Sequence, residues 1–193
     1  DALPIFTVLP NGDFWVELTW NDGQPAGPGN VITGDLDLQV VHPNGGAITN
    51  SVPWTHSTWC NNWTYGTGRT QEWGAPGTAD NPFLDRDCVS AGANCTYGGG
   101  PENQRINSPQ TAINYGVGVH TYSGASNNNP LTTTVRVFCG GALTATETNI
   151  TSVNKELWVV GQVSFPTGGG PCTYTPATAT GGGRLVLNSV YIP

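Results

Sequence analysis

Positive charge is scarce in this chain. Lys155 and five Arg stand against 13 acidic side chains among 193 residues, giving a net charge of −7. No basic patch exists for phosphates to rest on, so nucleic-acid binding is excluded. Charge of either sign is thin, at 10% of residues, well under the roughly 25% usual for soluble domains. No window approaches ~18 consecutive apolar residues, so no segment is expected to insert into a membrane. The cysteines Cys60, Cys88, Cys95, Cys139 and Cys172 lack the CxxC spacing of zinc or redox sites. No GxSxG elbow, HExxH motif or P-loop is present. Helical periodicity is also missing, because 27 Gly and 15 Pro interrupt nearly every window long enough to hold a helix.

What remains is a neutral, hydrogen-bonding composition. Gly, Thr and Asn number 27 + 25 + 18 = 70 residues, as is common in secreted β proteins. The length fits one domain over residues 1–193. The chain starts at Asp1 without Met or a basic-plus-apolar leader, as expected of a mature, processed product or an excised segment. With so little charge, disulfides in an oxidising compartment are the better account of the cysteines. The expected location is secreted, extracellular or at a cell surface, or the periplasm. Asn-x-Ser/Thr sequons begin at Asn62, Asn94 and Asn149, and they matter only in a glycosylating host.

Strand alternation is plain. In Phe14 to Trp20 one face reads Phe, Val, Leu, Trp and the other Trp, Glu, Thr. In Leu36 to His42 the inward set is Leu36, Leu38 and Val40. His42-Pro43-Asn44-Gly45-Gly46 then turns the chain, with Asn-Gly the strongest short hairpin signal. Further strands are expected at 115–122, 131–139, 157–165 and 185–192, with an edge or accessory strand at 5–9. This pattern predicts an all-β fold: a two-sheet antiparallel β-sandwich with long Gly/Asn/Thr-rich loops. Residues 167–193 read as a linker-like tail around a last strand.

Two acidic pairs stand out against eight Asp and five Glu in total. They are Asp35 and Asp37 in Asp-Leu-Asp-Leu, and Asp85 and Asp87 in Leu-Asp-Arg-Asp. Alternate strand residues share a face roughly 6.5 Å apart, so each pair aims two carboxylates at one point. Crowded carboxylates repel unless a cation sits between them, and dense hard oxygens suit Ca²⁺. Glu102 and Asn103, after Gly98-Gly99-Gly100-Pro101, extend the candidate ligand set. The alternative is two solvated strand ends.

The segment from Ser51 to Gly100 reads as one long loop, far beyond the ~12–15 residues at which structureless loops become uncommon. It carries Trp54, Trp59, Trp63 and Trp73, with Tyr65. Exposed, these aromatics beside Asn, Thr and Gly would suit sugar rings. The alternative is that they fold back as the loop's own small core.

Taken in order, Leu18-Thr19-Trp20, Asp35-Leu36-Asp37-Leu38-Gln39-Val40, Pro43-Asn44-Gly45, Leu84-Asp85-Arg86-Asp87, Gly100-Pro101-Glu102-Asn103, Tyr115-Gly116-Val117-Gly118-Val119-His120-Thr121-Tyr122 and Val135-Arg136-Val137 with Gly140-Gly141 form a recognisable series. Trp158-Val159-Val160 closes it. The series resembles bacterial YfaP-like secreted β-sandwich domains, more loosely akin to pre-peptidase C-terminal domains, over roughly residues 14–166. The resemblance implies a non-catalytic appendage or surface protein whose acidic loops hold calcium through Asp35, Asp37, Asp85, Asp87, Glu102 and Asn103. Where such domains usually carry a further acidic residue after the second pair, this chain has Cys88, followed by an insert, Val89 to Tyr97, containing Cys95. A Cys88–Cys95 bridge would pin that insert. Cys139 ends one strand and Cys172 lies just past the next, which makes them natural partners and leaves Cys60 over.

Catalysis is not expected. His42, His56 and His120 lie far apart in sequence, and the carboxylates within each pair are too alike in environment to split into acid and base. The expected activity is a calcium-binding adhesion, surface or structural module whose partner is a cell-surface or extracellular-matrix component such as a glycan. The rivals are a lectin-like module using the Trp-rich loop, and a filament or sheet subunit assembling through its terminal strands.

Overall fold

A computed structural model of the chain describes residues 14–21, 34–43, 60–61, 73, 82–86 and 101–187, with the backbone alone at 60–61 and 85–86. The described strands are β1 (Phe14–Asn21), β2 (Asp35–Val41), β3 (Cys60–Asn61), β4 (Phe83–Arg86), β5 (Glu102–Ile106) and β6 (Asn114–Ser123). They continue with β7 (Leu131–Cys139), β8 (Ala142–Thr151), β9 (Leu157–Ser164), β10 (Thr173–Pro176) and β11 (Leu185–Leu187). They form two antiparallel sheets. One has five strands in the order β4-β5-β1-β7-β8; the other has six, ordered β10-β9-β6-β2-β3 with β11 also on β9. The protein is an all-β sandwich.

Alternation decides which residues meet between the sheets. Phe14, Val16, Leu18 and Trp20 of β1 are at most 2% exposed and share one core with Leu36, Leu38 and Val40 of β2 and Tyr115, Val117 and Val119 of β6. The outward side of the six-stranded sheet buries a smaller cluster, Val41, Leu157 and Val159, beneath Ala177, Leu185 and Leu187. The segment read as a linker-like tail is therefore part of the sheet. β10 and β11 pair with successive stretches of one edge of β9, and residues 177–184 loop out between them. Residues 188–193, like the expected strand at 5–9, lie outside the described residues.

The stretch read as one long loop contributes β3, which pairs with Val40 and Val41, and β4, which pairs with β5. It also supplies Trp73, which is 1% exposed. Its ring stacks on Tyr115 at 6.0 Å and lies 5.4 Å from His42. The Gln110 side chain donates to the Trp73 carbonyl. A buried Trp of this size anchors its stretch of chain through area alone.

Candidate functional site

Expected ligands sit on β2 and on β5, whose inward side chains reach an edge of β2 across the sandwich. Among the described residues β2 pairs with β3 at Val40 and Val41, and at Leu38 its outer edge meets a different partner. β5 supplies one with side chains. Glu102 Oε2 accepts the Leu38 N–H at 2.7 Å, and the Gln104 amide donates to the Leu38 carbonyl. Glu102 and Gln104, two residues apart on one face, thus stand in for a neighbouring strand. Both are at most 1% exposed, so water cannot take their place on the Leu38 backbone.

Asp37 points to the other side of β2. His120 lies opposite it in register, with Nδ1 3.2 Å from Asp37 Oδ2. The His120 ring is buried, with Tyr122 edge-on at 6.4 Å. At Asp35 the ladder with β6 shifts register. Asp85 occupies the corresponding irregularity in β4, between Leu84 and Arg86.

These positions do not make the single six-ligand centre expected from sequence. Asp37 lies on the outward face of the six-stranded sheet, Glu102 between the sheets, and Asn103 on the outward face of the five-stranded sheet. Neighbouring residues on a strand point to opposite faces, so Glu102 and Asn103 cannot serve one ion. Among the described residues no three His, Cys, Asp or Glu side chains are grouped to hold a metal. Asp87 lies outside the described residues, as do Cys88, Cys95, Trp54, Trp59, Trp63 and Tyr65. Trp73 is placed, but as core, which corrects its reading as a solvent-facing sugar platform. Asn149, the third sequon, is 7% exposed and donates to Thr151 Oγ1 at 3.4 Å, so that site is shielded in the folded chain.

The outward face of the five-stranded sheet carries features that the motif reading passed over. In register across it lie Phe83, Arg105, Trp15, Phe138 and Leu143, a row of about 19 Å at ~4.8 Å per strand. The Arg105 guanidinium sits 5.0 Å from the Phe83 ring centre, a cation–π distance. The adjacent row holds Asn103, Glu17 and Arg136, with Arg136 Nη1 donating to Glu17 Oε1 at 2.6 Å. The indole N–H of Trp15 and the amide oxygen of Asn103 are buried and have no hydrogen-bond partner among the described residues. The available signal was Trp15 itself, a large aromatic on the polar face of β1.

Two further contacts lock the sheets together. Cys139, ending β7, is bonded to Cys172, just before β10, with Cα atoms 5.3 Å apart. The Tyr174 hydroxyl of β10 lies 2.9 Å from the Val160 carbonyl and also reaches the Glu147 carboxylate of β8. Burial, then the negative charge and hydrogen bond of Glu147, push the phenol well above its ordinary value.

No protein-family model matches the chain, and no curated protein matches it either. The fold is similar to that in the crystal structure of the unknown function protein SAV2460. The TM-score is 0.53 at 16% identity, over 95% of this chain and 92% of that one. The likeness is one of fold.

Proposed function

We propose that the protein is a secreted, non-enzymatic β-sandwich module of a cell surface or extracellular structure, of the kind its resemblance to YfaP-like domains implies. The observation that carries this reading is the Cys139–Cys172 bridge between the sheets, since such staples persist in oxidising compartments. The buried acids of the five-stranded sheet have architectural partners: Glu102 holds Leu38, and Glu17 holds Arg136. Calcium stays in the proposal with a smaller ligand set, Asp35 with Asp85 and Asp87. The test is calorimetric titration of the full chain with Ca²⁺, with melting temperatures and binding to cell-surface and matrix preparations measured with and without chelator. Binding of calcium only to the folded state raises the melting temperature by mass action. An unchanged melting temperature in Asp85→Ala and wild type alike removes calcium. Hydrolysis of a polysaccharide or peptide that depends on Asp85 overturns the non-enzymatic reading.

A second reading, glycan binding, is favoured by one specific feature. The row of Phe83, Trp15 and Phe138, beside Arg105 and Asn103, sets aromatic rings next to planar hydrogen-bonding groups across the outward face of the sheet. Glycan arrays separate this from the loop-based version. Sugar binding lost in Trp15→Ala and kept in Trp59→Ala and Trp63→Ala places the platform on the sheet.

A further inference from the structure

Among the described strands, β8 ends the five-stranded sheet and hydrogen-bonds to β7 alone. It is long for an edge: Ala142–Thr151, with Ala142, Leu143, Thr144, Thr146, Thr148 and Ile150 exposed. Natural edge strands are protected by Lys, Pro, shortness or bulges, because their free N–H and C=O groups template pairing with another chain. The other edge of this sheet, β4, is short and bulged. β8 has no Lys and no Pro, and its single charge, Glu147, is directed to Tyr174. Three of the five large hydrophobics exposed among the described residues lie on or just past this strand. Leu143 is 55% exposed, Ile150 67% and Val153, just past the strand, 50%.

We propose that the free edge of β8 is a self-association site, to which a second copy of the chain adds its own β8 antiparallel about a two-fold axis at Thr148. The inference is independent of the surface-module reading. The one bulge in the β7–β8 ladder leaves Thr144 as the extra residue, so the regular stretch is Ala145–Thr151 and its midpoint is Thr148. Pairing about that midpoint uses the whole regular stretch. It sets Thr148 against Thr148 of the second copy, and Ile150 against Thr146 of the second copy, on one outward face. Directly opposed threonines are favourable cross-strand neighbours. Sliding the axis to Glu147 would shorten the ladder and oppose two carboxylates, which is destabilising. An isologous contact uses both copies of the edge at once, so assembly closes at a dimer instead of growing into a filament.

The test uses the full chain in a Cys60→Ser background, because an odd number of cysteines leaves one thiol able to link copies by itself. Sedimentation velocity over a range of concentrations is expected to show a reversible monomer–dimer equilibrium. Oxidised Thr148→Cys is expected to form a covalent dimer, since directly opposite Cβ atoms lie about 4.5–5.5 Å apart. Thr146→Cys alone, out of register with its copy, is not. Mixing Thr146→Cys with Ile150→Cys restores the cross-link. Thr148→Lys places like charges on the axis and is expected to abolish the dimer while leaving the thermal midpoint of the monomer in place. Three results overturn the proposal: a monomer at every concentration with no cross-link at position 148, a dimer that survives Thr148→Lys, or linkage through position 146 in preference to 148.

Discussion

The carboxylate of Glu102 holds the backbone N–H of Leu38 at 2.7 Å, joining β5 of one sheet to β2 of the other. With Gln104 on the Leu38 carbonyl, a residue that would otherwise present a bare strand edge inside the sandwich has both backbone groups satisfied. Buried backbone groups are rarely left unpaired, and here two polar side chains replace a strand. This arrangement explains why an acidic residue lies fully between two apolar sheets.

Removing the clamp is expected to be costly. Glu102→Ala strands the Leu38 N–H and should destabilise by about 1–3 kcal/mol. Glu102→Gln, which keeps an acceptor oxygen, should cost less. Because Glu102 and Gln104 serve one residue, the double alanine variant should cost less than the sum of the singles. Urea unfolding of the four proteins measures this, and strict additivity would show that the two side chains act independently.

Gly161 is expected to tolerate no side chain. A Cβ there would lie 2.5 Å from the Thr175 carbonyl oxygen and 2.6 Å from the Tyr174 ring. The backbone of β10 cannot retreat without breaking its ladder with β9. Gly161→Ala should destabilise by about 1–3 kcal/mol through overpacking. Tyr174→Phe, which loses the hydroxyl between Val160 and Glu147, should cost about 1–2 kcal/mol. A Gly161→Ala protein as stable as wild type would mean that β10 does not pack as described.

The disulfide closes a separation of 33 residues. Chain-entropy reasoning gives about 3–4 kcal/mol for a loop of that length. Cys139→Ala combined with Cys172→Ala should lower stability by that order and free β10 before the rest of the sheet. Hydrogen exchange read along β9 and β10 would show it. Equal protection in both proteins would place the stabilisation elsewhere.

Burial raises the Glu156 carboxyl above its ordinary 4.5. The folded state therefore holds this proton to higher pH than the unfolded state does, and stability falls as pH rises through the window from 4.5 to the raised value. Glu156→Gln removes the effect. The variant should match wild type below that window, gain on it progressively through the window and keep a constant advantage above it. Denaturant midpoints at a series of pH values test this; a constant difference across the series would exclude the link.

Much of the sandwich was legible from residues 14–20, 36–42, 115–122 and 131–139, which place apolar side chains on alternate positions of a buried face, and from 157–165, whose continuous apolar run is buried on both faces. The strands that escaped are those whose inward positions are not apolar. β5 presents Glu102 and Gln104 inward because they clamp a neighbouring edge, and so it read as part of a Gly-rich loop. β8 is an edge strand whose exposed threonines leave no apolar stripe. β3, β4 and β10 are too short to carry a period.

The all-β class, the inward face of the central strands and the Cys139–Cys172 pairing were readable from local periodicity and order along the chain, although the pairing was read without β8, which lies between the two cysteines in sequence. Only the tertiary structure decided where the acidic residues look. Asp37, Glu102 and Asn103 point into three different spaces because the side a strand residue faces depends on which sheet the strand joins. Trp73 became core, and Trp15 came to lie in an aromatic row, for the same reason: pairing partners distant in the chain set the neighbours of each ring. Sequence spacing carries the alternation of a strand but not its position in a sheet.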